Sequence, residues 1–204
     1  MDDTQRPAID DDAPANGGTA VAPGTVGGDI RSLRKSRGLT LQALSAEIGR
    51  SVGWLSQVER DQTAATIDDL RQLARLFDIP IGFFFRNEAA SERERGLVVR
   101  SGARATLGSD EGGLTEELLS PDIAGAFEMV RSVFAPGAAS SDVDARPAED
   151  GGYVVSGRLE LWIDDEKFEI GPGDSFQFIE RPYRWRNPGD EPTEVIWVIA
   201  PPIY

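Results

Sequence analysis

Residues 30–85 read IRSLRKSRGLTLQALSAEIGRSVGWLSQVERDQTAATIDDLRQLARLFDIPIGFFF, and this stretch decides the architecture of the first half of the chain. Apolar residues recur at helical spacing in short runs, each opened by a capping residue and closed by a glycine or proline. A first helix is predicted over Asp29–Ser36, anchored by Ile30, Leu33 and Leu41, with Gly38 as its stop. Thr40 is placed to cap a second helix through Leu44 and Ile48 to Gly49. Ser51 is placed to cap a third, in which Val52, Leu55 and Val58 share a face. Ile67, Leu70, Leu73, Ala74 and Leu76 mark a fourth. After Pro80, Ile81–Phe85 reads as a short fifth helix whose aromatic run caps the bundle core.

Outward from this block the composition changes on both sides. Residues 1–28 are rich in Asp, Ala, Gly, Pro and Thr with almost no large apolar side chain, which predicts a disordered acidic tail. Residues 89–96 read as a charged linker. From 97 to 204 short apolar runs alternate with turn signals such as Gly112-Gly113, Pro136-Gly137, Asp164-Asp165 and Pro188-Gly189. Leu159, Leu161 and Ile163 alternate with Glu160 and Trp162, the mark of a strand with one buried face. The pattern predicts an antiparallel sandwich or barrel beginning with a strand near Leu97. The fold class is thus multidomain α + β, with a helical domain at 29–88 and a β domain at 97–204.

The chain has 204 residues and a net charge of −14, unevenly spread. Residues 1–28 carry −4, residues 29–88 carry +1 and residues 89–204 carry −11. Four bases, Arg31, Arg34, Lys35 and Arg37, fall close together in the least acidic part, the place to look for nucleic-acid contact. Without Cys there are no disulfides or thiolate metal sites, and without His there is no imidazole base or ligand. No apolar run reaches the ~20 residues of a membrane span, and the first residues lack the order of a secretory signal. The expectation is a cytoplasmic protein with no membrane partner.

The runs RSLRKSRGLTLQALSAEIG, SVGWLSQVER and TIDDLRQLARLFDIP together resemble the XRE/Cro-like helix-turn-helix family. The resemblance implies that the third helix enters the major groove of duplex DNA by its N-terminal end. By family position Val52, Gly53, Ser56 and Gln57 face base edges, and Gln57 carries an amide suited to adenine. Thr40, Gln42, Arg50, Ser51, Trp54 and Arg60 fall where phosphate and sugar are contacted. Trp54 has a second reading, packing on its own helix, and Glu59 reads as one half of a local ion pair.

The β segment resembles a cupin, a double-stranded β-helix barrel. GYVVSGRLEL looks like the end of the first cupin motif, and GDSFQF followed by PYRWRNPGDEP looks like the second. The joint match, over residues 29–204, resembles bacterial XRE-type regulators with a C-terminal cupin sensor. In metal-binding cupins the motifs supply histidines and a carboxylate. Here the paired histidine positions hold Asp144 and Arg146, the carboxylate position holds Asp150 or Glu149, and the last histidine position holds Tyr183. The usual metal site is therefore not available, and neither metal nor cofactor is expected. Two readings of the altered site remain open. Arg146, with Tyr183 and Trp185 beside it, grips an anionic effector that Asp144 and Asp150 help to orient. Alternatively, Asp144, Arg146 and Asp150 form a structural ion-pair cluster.

These readings point to a sequence-specific transcription regulator, not an enzyme. It would bind a near-palindromic operator as a homodimer and sense a small effector. Two alternatives are a cupin-type oxygenase or isomerase with an assembly helical domain, and a constitutive DNA-binding protein with a purely structural barrel.

Overall fold

A computed structural model describes residues 24–86, 90–107 and 111–202 of the chain. Of the tail predicted over residues 1–28, residues 1–23 lie outside the described residues.

The helical half contains α1 (Val26–Ser36), α2 (Leu41–Glu47), α3 (Val52–Val58) and α4 (Ile67–Phe77). Thr40 and Ser51 cap as their sequence positions predict, accepting from the Ala43 and Trp54 amides at 3.0 and 3.1 Å. Thr66 and Asp69 close a reciprocal capping box on α4. Gly38, at φ +64°, takes the left-handed turn that separates α1 from α2.

Two expectations are corrected here. There are four α-helices among the described residues, not five. Ile81–Phe85 is a single 3-10 turn after Pro80, which offers no side-chain cap, and five residues are too few to repay helix nucleation. The other correction is at the start. Folded structure does not begin at Asp29, because Thr25 caps α1 through the Gly28 amide and donates to Asp61 at 2.6 Å. Gly27 lies so close to the end of α3 that a Cβ there would sit 2.1 Å from the Val58 carbonyl oxygen. The small residues read as tail composition are thus what lets this turn dock.

Ile30, Leu33, Leu44, Leu55, Leu73 and Phe83 are fully buried at the centre of the helical half. Two buried ion pairs tie its elements. Arg34 on α1 grips Glu59 at the end of α3 with two bonds of 2.6 and 2.9 Å. Arg86 grips Asp29 with two bonds of 2.6 and 2.8 Å, both side chains being only 2% exposed.

The β half contains β1 (Thr106–Leu107), β2 (Leu114–Leu118), β3 (Glu128–Phe134), β4 (Glu149–Ser156), β5 (Leu159–Ile163), β6 (Glu166–Ile170), β7 (Ser175–Ile179), β8 (Tyr183–Arg186) and β9 (Thr193–Ala200). All pairings are antiparallel, in a six-stranded sheet ordered β1-β2-β3-β9-β4-β7 and a three-stranded sheet ordered β6-β5-β8. Leu159, Leu161, Phe134, Phe178, Trp185 and Trp197 fill the space between the sheets.

The expected closed barrel is not formed among the described residues. The segment 138–148, rich in small and polar residues and interrupted by Pro147, forms no strand. Its backbone pairs with β8 in isolated bridges at Ala139–Arg186 and Val143–Tyr183, joined by the Ser140 hydroxyl, which accepts from the Trp185 amide, and by Asp142, which pairs with Arg184. Nor is there a strand near Leu97; residues 92–97 are turns, and Leu97 is exposed.

The two halves share a seam. Ala105, Leu118 and Ile123 of the β half are buried in the same apolar cluster as the helical core, and Leu107 packs against both cores. No helix among the described residues is long and apolar enough to cross a membrane.

Arg86→Met strands the buried Asp29 carboxylate and is expected to destabilise the fold by about 3–5 kcal/mol in urea titration. Adding Asp29→Asn is expected to recover part of that loss, and a single-variant loss below ~1 kcal/mol contradicts the assigned role.

Candidate functional site

Two surfaces carry the residues singled out by sequence. One is the start of α3. Ser51, Val52, Gly53 and Gln57 are exposed there, and Ser56 is half-buried, while Leu55 and Val58 turn into the core. The helical period thus separates an outward face from a packed one. The Thr63 hydroxyl donates to the Gln57 side-chain amide oxygen at 3.3 Å, which holds the side chain along the loop after α3.

Around this face, Thr40, Gln42, Arg50 and Arg60 are exposed. Arg50 bonds to Asp69 at 2.7 Å and lies over the Trp54 ring at 5.1 Å. Burial pushes the Asp69 carboxyl up, but hydrogen bonds from Thr66 and Arg50 outweigh it and hold the group below its ordinary range. Trp54 is half-buried and packs against the helical core. The basic cluster of α1 divides. Arg34 is spent on Glu59 and the Leu39 carbonyl, and Arg37 donates to the Phe77 carbonyl at 2.9 Å. Lys35 is exposed and Arg31 is half-buried.

The other surface is a cavity of about 430 Å³. Phe134, Tyr183, Trp185 and Trp197 supply aromatic walls, and Glu116, Glu128 and Arg146 supply charge. Phe134 and Trp185 meet edge-on at 4.5 Å, and Tyr183 and Trp197 lie 5.7 Å apart, so the rings brace one another. Arg146 pairs with the buried Asp150 carboxylate, and its guanidinium lies 5.7 Å from the Tyr183 ring centre. Its Nε is buried and has no hydrogen-bond partner. Burial pushes the Tyr183 phenol up; Arg146 pulls it back, and Asp150 and Glu116 add to the rise. The phenol is therefore neutral at ordinary pH.

Of the five residues predicted for an effector site, Arg146, Tyr183 and Trp185 line the cavity. Asp150 stands behind Arg146 as its partner, and Asp144 is exposed and not among the lining residues. Among the described residues no three carboxylates gather as a metal-holding group. Sequence reasoning missed Glu116, Glu128 and Trp197. Their signal was strand parity, since Glu116 opposes Ser132 in β3, and Trp197 opposes Val130. It also missed the cavity's remaining wall, which comes from the helical half: Arg37, Phe77, Asp78 and Ile79.

Two family models match the chain, "Helix-turn-helix" over residues 30–84 and "Cupin domain" over residues 130–199. The chain is similar to the HTH-type transcriptional regulator PuuR of Escherichia coli, 21% identical over 157 residues that cover 76% of this chain and 82% of PuuR. It is also similar to the polyketide synthase CurC of Streptomyces cyaneus, 32% identical over 93 residues, 44% of this chain. That match spans only 60% of CurC. Among solved structures, an HTH_3 family transcriptional regulator from Vibrio cholerae aligns with 88% of this chain and 96% of its own, at 20% identity and TM-score 0.45. The first matched segment lies in the helical bundle, and the second runs from β3 to β9 of the two-sheet body. The chain thus carries a segment that matches the helix-turn-helix model, followed by one that matches the cupin model.

Proposed function

We propose that this protein is a transcription regulator that reads operator DNA through α3 and senses a small molecule in the cupin cavity. The observation that carries the DNA-binding part is the outward face of α3. Val52, Gly53 and Gln57 stand exposed beside the Ser51 cap, flanked by Thr40, Gln42, Arg50 and Arg60. This is the distribution a major-groove helix needs, with base-reading residues at its N-terminal end and donors to phosphate around it. The local charge also suits DNA, since the helical half is the least acidic part of the chain.

The protein acts as a homodimer in this reading. One α3 spans too few base pairs to select a site, and a two-fold protein suits two half-sites about one helical turn apart. The β half offers the contact. Tyr153, Ile179 and Val198 are 51%, 59% and 41% exposed. The pairing register puts all three on the outer face of β9, β4 and β7. β7 is moreover an edge of the six-stranded sheet, which a second copy would cover.

Selection from random duplexes with the full chain is expected to enrich a near-palindromic sequence; no enrichment overturns the regulator reading. On that sequence Gln57→Ala is expected to cost about 1–3 kcal/mol at one base position. Arg60→Ala is expected to weaken all duplexes alike and to flatten the salt dependence by about 0.9 for each phosphate that Arg60 neutralises. Sedimentation at micromolar concentration is expected to give a dimer that Tyr153→Asp and Ile179→Asp dissociate; a wild-type monomer with and without DNA contradicts the proposal. Elemental analysis of the purified protein is expected to find no stoichiometric transition metal, and one per chain contradicts the effector reading of the cavity.

A further inference from the structure

We propose that Gln57 reads a guanine, and that Thr63, on the loop behind it, sets that choice by holding the amide oxygen away from the base. This rests on the DNA-reading role of α3 proposed above and names the base that one of its side chains selects.

A glutamine amide offers an acceptor oxygen at one corner and a donor NH2 at the other. Presented side by side, the two match adenine, whose N7 accepts while its N6 donates. In this protein the two corners are not equivalent. The Thr63 hydroxyl donates to the Gln57 amide oxygen at 3.3 Å. Among the described residues no protein group accepts from the Gln57 NH2, and the residue is exposed. The oxygen is thus turned back toward the loop, and the NH2 is the end left to lead into the groove. Turning the oxygen to a base would give up the bond to Thr63, a difference of about fivefold in an equilibrium constant. Leading with the NH2 keeps it.

Thr63 can hold the amide because its loop is itself held. The backbone amides of Asp61 and Gln62 donate to the Val58 and Gln57 carbonyls, both at 2.9 Å, and fold the loop back over the end of α3. Asp61 takes the left-handed backbone there, at φ +55°, a conformation that aspartate adopts more readily than most residues. Its carboxylate accepts from the Thr25 hydroxyl at 2.6 Å and from the Gly27 amide at 3.0 Å, so the start of α1 pins the turn. Thr63 is half-buried and shares a groove with Val26, Val58 and Leu70. The hydroxyl therefore reaches Gln57 from a fixed support.

A leading NH2 discriminates among the four edges in the major groove. Guanine presents two acceptors, N7 and O6. Thymine presents one, O4, beside its methyl group. Adenine sets the donor N6 next to N7, and cytosine presents a donor. Two hydrogens on one nitrogen are best met by guanine. Neighbours on the same face do not blur this choice, because Val52 and Gly53 carry no side-chain donor or acceptor.

The test uses the full chain and selection from random duplexes with the wild type, Gln57→Ala, Thr63→Val and Thr63→Ser. The step whose preference Gln57→Ala removes is the one Gln57 meets, and guanine is expected there in the wild type. In competition binding, guanine at that step is expected to exceed adenine about tenfold. Thr63→Val keeps the shape without the hydroxyl and is expected to shrink that ratio about fivefold, while Thr63→Ser retains it. A hydroxyl that only touched phosphate would instead act on every duplex alike. Thermal melting near that of the wild type shows that the fold is kept, and Thr63→Ala gives the same comparison where valine perturbs it. Adenine, cytosine or thymine at the Gln57 step overturns the guanine assignment. An unchanged ratio in Thr63→Val, or an equal loss on every duplex, overturns the role of Thr63. An enriched site with no step sensitive to Gln57→Ala overturns base reading by Gln57 and leaves the regulator reading standing. Absence of any enriched sequence overturns that reading itself.

Discussion

The buried pair between Asp29 and Arg86 is the constraint on which the rest of the structure depends. It joins the first turn of α1 to the residue that follows the closing 3-10 turn, so the helical half is fastened end to end. Arg86 also donates to the Phe83 carbonyl at 2.8 Å and lies over the Phe83 ring. The pair sits beside the seam with the β half. Burial pushes the Asp29 carboxyl up, Arg86 pulls it down, and Asp122 of the β half adds to the rise. Ile123, next in sequence, is buried in the helical core cluster. Removing water from two charges is costly and is offset only by good geometry, and here both oxygens of the carboxylate are met.

Much of the helical half is legible in the sequence because its signals are local. Thr40 and Ser51 cap where a hydroxyl precedes an apolar period, and Leu55 and Val58 are buried where the period places them. What was not legible depends on partners distant in sequence. Arg34 looks like one of four surface bases, and only the fold brings Glu59, 25 residues away, against it. Thr25 and Gly27 lie in a stretch whose composition reads as tail, and their meaning comes from Asp61 and Val58. Ile81–Phe85 has the apolar content of a helix without the length or the cap.

The β half follows the same rule. Strand parity separates Leu159 and Leu161 from Glu160, and it places Tyr183 and Trp185 together on the cavity wall. Closure of the barrel could not be read, because it depends on whether residues 138–148 pair along their length with β8. Their two isolated bridges leave the sheets joined at points rather than along a strand. The charge of the cavity was likewise hidden. Arg146 suggests an anion when read alone, and only the fold shows the buried Asp150 against it and Glu116 and Glu128 on the walls of the same cavity.

The central claim is that the DNA-reading helix and the cupin cavity belong to one coupled body. The chain's four tryptophans are placed to report on it. Trp54 lies on α3, Trp185 and Trp197 line the cavity, and Trp162 stands on β5 between Lys167 and Arg184, outside the cavity. The direct measurement is fluorine NMR of the 5-fluorotryptophan protein titrated with its selected duplex, each signal assigned by a single Trp→Phe substitution. Coupling predicts that the duplex shifts Trp54 together with Trp185 or Trp197 and leaves Trp162 in place. A shift confined to Trp54 would contradict it.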